Sequence, residues 1–392
     1  MSHLIKYFIL ILFSLTGELK AQLSEQAQVS LLTCAEGEDI YSLFGHSAIR
    51  VKDPVNNIDN CYNWGMFEFD SDEIVFATKF TKGRLKYYMD EQDFQYFMWE
   101  YEVTERTVKE QLLNLTHDQK IELWKALKEN YLPENRVYKY DFFFDNCSTR
   151  IRDILQKIIG ENLILKAHPN ENEFSLRVLL NNTVDHMPWL GLGMDLALGS
   201  KVDIKANNSH MMFLPRYMYE IYAESEVTIN GEVEPFILRE KTLISGTDHQ
   251  TEPSFWTSPN FLFWSLFLIT AVLTLIKIRF LTKFWDGLLL LVFGVLGIFI
   301  FFLWFGTDHA TMRPNFNVLW ANPLYLFFII PLMSKRLHNK LNKAYLVVSV
   351  LLILVIFGAM IIPQEFNSAT TPIILLFTLK FFYWYKETKR VA

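Results

Sequence analysis

The chain has 392 residues, 51% hydrophobic and 16% aromatic, with a formal charge of -6 and three cysteines. That length accommodates more than one domain, while the mild charge and the lack of a basic run interleaved with aromatics exclude nucleic acid as a partner. Three cysteines are too few for a disulfide-built scaffold, and the apolar residues crowd into the C-terminal third.

Residues 1–21 carry Lys6, an apolar core from Tyr7 to Leu15 and the small residue Ala21, the pattern of a secretory signal that leaves Gln22 as the new N-terminus. An uncleaved anchor is the alternative, although the apolar core is short for a full span. Either way the next segment is exported. No cysteine stands just after the apolar core, so the protein is not expected to be a lipoprotein itself.

From 22 to 220 the pattern predicts an α+β domain. Gln28–Cys34, Ile49–Lys52 and Cys61–Phe69 alternate like strands, with Asp53-Pro54 and Asn56-Asn57 turning between the last two. Gly45 permits a tight backbone approach just before His46, which enters its strand exposed. Cys34 and Cys61, each at the end of a predicted strand, can pair in an oxidising compartment and leave Cys147 as the single free thiol. Helical periodicity follows over 91–105 and 116–129, the second opening with the capping-box spacing Thr116 to Gln119. Both helices are expected to pack on the sheet.

Next comes the run Tyr140-Asp141-Phe142-Phe143-Phe144-Asp145-Asn146-Cys147-Ser148-Thr149-Arg150, an aromatic, extended stretch that turns into a helix. Aspartate or asparagine at the boundary can cap it, and Ile151, Ile154, Leu155 and Ile158 give it one buried face. The thiol of Cys147 thus sits near a helix start, whose positive end favours thiolate. A Gly/Asn/Pro-punctuated region follows, with Ser175, Arg177 and the run from Met187 to Leu196. The segment 221–259 is read as a hairpin at Asn230-Gly231 and a polar linker.

The segment 260–392 contains five apolar stretches, at about Phe261–Ile276, Phe284–Phe305, Val318–Met333, Ala344–Ile362 and Ala369–Tyr385, read as transmembrane helices. Basic residues concentrate in alternate loops: Lys277, Arg279 and Lys283; then Lys335, Arg336, Lys340 and Lys343; then Lys386, Lys389 and Arg390. The positive-inside rule places the C-terminus in the cytoplasm and the preceding domain outside, in agreement with the signal. The outward loop 306–323 offers Asp308, His309, Asn315, Asn317 and Asn322, either to line a headgroup site or to fold the loop back on the helix ends.

His46 and Cys147, about a hundred residues apart, form a Cys-His pair of the kind used for acyl transfer. Asn63 on the neighbouring strand can orient the imidazole, and Tyr62 can instead support an oxyanion. Arg84, Arg106, Arg150 and Arg313 are candidates for a phosphate contact. No His or Cys pair has metal-ligand spacing.

The motifs Phe44-Gly45-His46-Ser47-Ala48-Ile49-Arg50-Val51, Tyr62-Asn63-Trp64-Gly65, Glu102-Val103-Thr104-Glu105-Arg106, Gln111-Leu112-Leu113-Asn114-Leu115, Asp145-Asn146-Cys147-Ser148-Thr149-Arg150 and Leu319-Trp320-Ala321-Asn322-Pro323-Leu324 resemble the Lnb family of Bacteroidetes. The resemblance covers nearly the whole chain. It implies a lipoprotein N-acyltransferase that moves an acyl chain from a membrane phospholipid to the α-amine of a diacylglyceryl-cysteine, with no nucleotide or other cofactor. The order His-then-Cys also resembles the permuted papain-like enzymes such as lecithin:retinol acyltransferase, which implies Cys147 as nucleophile and His46 as base. Those relatives often carry a second histidine where this chain offers Asn63 or Tyr62. Asp308, His309 and Asn317 are expected near the mouth of the Cys147 site. Competing readings are a membrane-bound cysteine hydrolase, acting as a cell-wall peptidase, an amidase or a phospholipase, and a non-catalytic sensor or assembly protein. Five spans favour a lipid substrate over cell-wall peptide.

Overall fold

The computed structural model describes residues 22–39, 41–68, 72–247, 252–276, 278–359 and 361–389. The expected signal, residues 1–21, and part of the linker, 248–251, lie outside the described residues. The N-terminal half opens with strands β1 (Gln28–Cys34), β2 (His46–Asp53) and β3 (Ile58–Phe67), then helix α1 (Glu73–Thr81), β4 (Tyr87–Asp93), α2 (Phe94–Val103), β5 (Val108–Leu113), α3 (His117–Tyr131) and β6 (Val137–Tyr138). Helix α4 (Cys147–Ile159) follows, then β7 (Leu163–Ile164), α5 (Leu176–Thr183), α6 (Pro188–Ala197), α7 (Asn208–Met211), α8 (Pro215–Glu224), β8 (Glu226–Ile229), β9 (Glu232–Pro235) and β10 (Ile237–Ile244).

Seven strands make one antiparallel sheet in the order β10-β5-β1-β2-β3-β4-β6. Alternation gives it two apolar faces. Leu31, Ile49, Val51, Tyr62 and Trp64 face a core closed by Ile151 and Leu155 of α4, Leu123 and Leu127 of α3 and Met218 and Ile221 of α8. Leu32, Cys34, Ala48 and Cys61 face Phe97, Met98 and Tyr101 of α2. The capping box on α3 forms, with Thr116 and Gln119 bonded reciprocally. Where helix was expected from residue 91, the chain first completes β4, and α2 starts only at Phe94 with Asp93 as its cap. Asn230 and Gly231, both at positive φ, close the β8–β9 hairpin. β10 then joins the edge of the main sheet along β5.

The suggested Cys34–Cys61 disulfide does not form: all three cysteines are free and buried. β2 lies between their strands, Cys34 opposite His46 and Cys61 opposite Arg50. Two strand spacings, roughly 10 Å, exceed the reach of a disulfide.

In the C-terminal half, three segments among the described residues are long and apolar enough to cross a membrane: Pro259–Ile276, Phe280–Phe305 and Ala310–Met333. We label its helices α9 (Pro259–Ile276), α10 (Arg279–Phe305), α11 (Ile329–Met333), α12 (Lys335–Lys340), α13 (Asn342–Gly358) and α14 (Thr370–Lys389). The third crossing segment is interrupted, with 3-10 turns at Ala310–Met312, Phe316–Leu319 and Pro323–Phe328 before α11. Gly294 and Gly297 of α10 make room for it, since a Cβ on Gly297 would stand 2.5 Å from Ala321 O. The expected fourth span, α13, has only 17 residues, and the fifth, α14, carries Lys380, Lys386, Glu387 and Lys389. Lys380 is buried against Asp286 of α10 at 2.8 Å and donates to Thr274 of α9 at 3.1 Å, which ties three helices together.

Arg177 joins the two halves. It donates to Asp203 through Nε (2.7 Å) and to Asp195 through Nη1 (2.9 Å), and its Nη2 reaches Leu198 O and Gly199 O. Asp195 accepts from Asn367 at 2.8 Å, and its backbone oxygen accepts from Asn317 at 2.8 Å, both from the membrane half. Arg177→Met would leave two buried carboxylates without their cation, a cost of about 3–5 kcal/mol. A matching fall in the thermal unfolding midpoint of the detergent-solubilised protein is expected, and an unchanged midpoint would show the cluster to be dispensable.

Candidate active site

Cys147 is held by its turn. Asp141 and Asp145 exchange backbone hydrogen bonds (3.1 and 2.9 Å), and the Asp141 carboxylate accepts from Phe143 N and Phe144 N. Asn146 then caps α4: its Oδ1 accepts from Thr149 N at 2.9 Å, and its own N–H donates to Thr149 Oγ1 at 2.8 Å. The Asn146 amide also donates to Phe142 O and Phe213 O, both at 2.8 Å, so every polar atom of the cap is used. Cys147 is the first residue of the helix and only 8% exposed. The backbone N–H groups of Ser47 and Ser148 lie close enough to its sulfur to favour the charged form, and Ser148 Oγ stands at 3.9 Å. Ser148 Oγ in turn meets Ser47 Oγ at 3.0 Å.

The Ser47 contact has a cause in the sheet. β2 and β3 pair from Asp53↔Ile58 to Ala48↔Asn63 and then part, where β3 is irregular between Asn63 and Met66 and Gly65 takes φ 92. The parting leaves the start of β2 open to the helix. His46 is the first residue of that strand, and Gly45 before it, at φ 73, packs so closely that a Cβ would meet Cys34 O at 2.7 Å. By alternation His46 shares a face with Ala48 and Asn63, while Ser47 looks toward α4. Asn63 hydrogen-bonds the imidazole, and its Nδ2 is buried without a partner among the described residues. The imidazole is thus influenced by Asn63 and the sulfur by the Ser47 backbone. The two groups are tied to neighbouring residues at the start of β2, the imidazole on the Ala48 and Asn63 face and the sulfur on the α4 face.

The other residues singled out in the sequence fall into two groups. Tyr62 is fully buried and donates to Glu91 at 3.0 Å. Arg106 is buried with Nε and Nη2 on Ala35 O and stacks over Tyr101. Arg150 forms a two-pronged pair with Asp145 (2.6 and 2.9 Å) and lies over the Tyr138 ring. Asn317 spends its amide on Asp195 O and Trp320 Nε1. Those four have their polar atoms committed inside the fold. Arg84 and Asp308, by contrast, pair with each other at 2.8 Å on the protein surface, and His309 bonds Phe80 O at 3.0 Å. Arg313 is exposed nearby. The sequence did not point to Ser47 or Ser148 as contacts of the sulfur, although both lie inside the quoted motifs. Tyr138 and Tyr140, close enough to Cys147 for its charge to act on them, were legible only as an aromatic run.

Two family descriptions match the chain: the Lnb N-terminal periplasmic domain over residues 18–182 and the Lnb transmembrane domain over 250–391. The chain belongs to the Lnb family. Comparison with curated proteins and with solved structures yields no match. As an Lnb member it is a membrane protein with a periplasmic domain. Membership points to lipoprotein maturation and is consistent with an enzyme.

Electrostatics sets the resting state of this Lnb site. Burial pushes the Cys147 thiol above its ordinary 9.0, outweighing the N–H groups around the sulfur. The expected preference of the helix start for thiolate is therefore overridden. Burial and the Arg106 charge bring His46 from 6.5 down to about 4, with Asn63 opposing. Thiol and imidazole are therefore both neutral near pH 7. Alkylation of Cys147 by a small reagent should rise with pH up to and beyond 9.0. Alkylation rates from about pH 5 to about 10 check this. A flat profile through neutrality would mean that the thiolate is already formed at rest.

Proposed function

We propose that the protein is a lipoprotein N-acyltransferase of the bacterial inner membrane, with its catalytic domain in the periplasm and its C-terminus in the cytoplasm. The observation that carries this reading is the Cys147 sulfur, at the first residue of a capped helix and against the Ser47 backbone beside His46, in a domain bolted to a membrane bundle. The order of strand and helix supports a permuted papain-like reading of the domain. The basic loops support five crossings, the third broken and the fourth short.

In the first half-reaction the Cys147 sulfur attacks an ester carbonyl of a phospholipid. The C–S bond forms, His46 takes the thiol proton, the acyl C–O bond breaks, and His46 returns the proton to the departing lysophospholipid oxygen. In the second, the neutral α-amine of a diacylglyceryl-cysteine attacks the thioester. The C–N bond forms, an amine proton passes to His46, and the sulfur leaves and is reprotonated. Asn63 keeps the imidazole oriented. The cradle of N–H groups at Ser47 and Ser148 stabilises the sulfur as it gains and loses charge. An ester becomes a thioester and then an amide, so no nucleotide is needed. Arg84, Asp308 and His309 stand at the surface for headgroups, while Tyr62, Arg106, Arg150 and Asn317 hold the frame.

Cys147→Ala and His46→Ala should each lower transfer by about a thousandfold or more, and the double variant should lose little beyond either, because the two act as one unit. Mass spectrometry of lipoprotein N-termini, from cells with the intact protein or each variant, reads this directly. N-acylation persisting in Cys147→Ala overturns the nucleophile. Release of fatty acid and lysophospholipid with no N-acylation would assign the same site to a hydrolase.

A further inference from the structure

Helix α1 is apolar and bare. Ile74, Val75 and Phe80 are 78%, 39% and 53% exposed, on a helix of nine residues that the rest of the protein leaves largely uncovered. Such a surface calls for an apolar covering. Its position says which one. The end of α1 and the turn after it are fastened to the loop that leaves the second membrane span at Phe305: Phe80 O bonds His309 Nε2 at 3.0 Å, Lys82 O accepts from Asp308 N at 2.9 Å, and Arg84 pairs with Asp308. Lys139 Nζ reaches Asp308 O at 3.2 Å from the strand side. The helix therefore lies at the level where that span meets the membrane surface.

A row of rings leads inward from it. Phe80 stacks near Phe76 (6.5 Å between centroids), Phe76 near Phe67 (6.0 Å), Phe67 against Tyr87 (5.4 Å) and Tyr87 on Tyr140 (4.4 Å). The Asp141↔Asp145 bridge folds the chain back so that Tyr140 stands beside the cap that presents Cys147. The row thus runs unbroken from the exposed helix to the neighbourhood of the thiol.

We infer that α1 is immersed in the hydrocarbon of the outward-facing leaflet and that the ring row Phe80, Phe76, Phe67, Tyr87, Tyr140 is the wall along which a phospholipid acyl chain reaches Cys147. The inference rests on the acyl-enzyme reading above and adds the route and the chain-length dependence. A chain taken from the bilayer gains nothing by leaving water, so the wall selects by reach. A chain too short to lie along all the rings leaves part of the wall facing water, at a cost that grows with the apolar area left bare, and the site favours long chains.

The test uses the full-length protein in vesicles without acceptor, which confines it to the donor half-reaction. Thioester formation at Cys147 is followed by intact mass with a long-chain and a short-chain phosphatidyl donor, for the unmodified protein, Phe80→Asp with Ile74→Asp, and Phe80→Leu. The ratio of long-chain to short-chain rates should fall tenfold or more in the aspartate variant and return in Phe80→Leu. An unchanged ratio overturns the inference. In parallel, a fluorophore on Ile74→Cys should be quenched by lipids brominated along the acyl chain. No quenching overturns the inference whatever Cys147 does. Quenching without any thioester in the unmodified protein keeps the immersed helix and removes the acyl-enzyme reading instead.

Discussion

Burying a guanidinium between two carboxylates is costly unless every donor is met, and Arg177 meets that condition. Asp203, Asp195, Leu198 O and Gly199 O take its N–H groups, with the side chain 2% exposed. The same carboxylates are shared across the joint, Asp195 with Asn367 and Asp203 with Glu365 N. Around the cluster, Gly199 N and Ser200 N donate to Thr311 O and Pro314 O, and Asn315 donates to Leu196 O. A Cβ on Gly199 would collide with Pro314 O, so the two backbones meet with no side chain between them. The orientation of the sheet relative to the membrane helices depends on this set of contacts. Because the cluster lacks a spare hydrogen bond, it specifies one arrangement rather than a range.

The same economy governs the thiol. Phe44, Phe142 and Phe213 pack edge to face near the Cys147 turn, with centroids 4.7 and 5.8 Å apart, and the thiol is buried. Low polarity disfavours charge on both partners, raising the thiol and lowering the imidazole, and this opposes the helix start. A neutral resting pair suits the proposed chemistry, since a thioester kept from water waits for an amine instead of hydrolysing. It also gives Arg106 an indirect part. Fixed on Ala35 O, its charge helps to keep His46 deprotonated.

Much of this is legible in the amino-acid order alone, and the gaps have physical causes. The turn into the Cys147 helix is local, and Asn146 and Thr149 three residues apart are enough to announce it. His46 is likewise marked by Gly45. The separation of Cys34 from Cys61 depends on strand order, which no pattern in either strand contains. Arg177 gathers Asp195, Asp203 and, through Asp195, Asn367, which are remote in sequence, so neither the cluster nor the buried role of Asn317 has a local signature. Hydropathy records composition and not backbone, and for that reason Val318–Met333 reads as a continuous span while Pro323 and Asn322 in fact interrupt it with 3-10 turns. The helix start that favours thiolate is visible in sequence, whereas the burial that overrides it at Cys147 arises only when distant segments pack.

The interrupted segment ties the membrane half to the domain above it. Backbone that leaves the α-helix inside a bilayer must find its hydrogen bonds in protein. Here Phe316 N donates to the Gln364 side chain, whose own amide donates to Leu198 O, while the side-chain amides of Asn317 and Asn315 donate to Asp195 O and Leu196 O of the periplasmic half. Gly294 and Gly297 of α10 let the segment approach closely enough to do so. An ordinary helix in its place would satisfy itself and leave the domain above free to swing. By leaving the α-helix, the third segment brings Asn315 and Asn317 to the joint as attachment points of the periplasmic domain, which is held by packing and not by a linker alone.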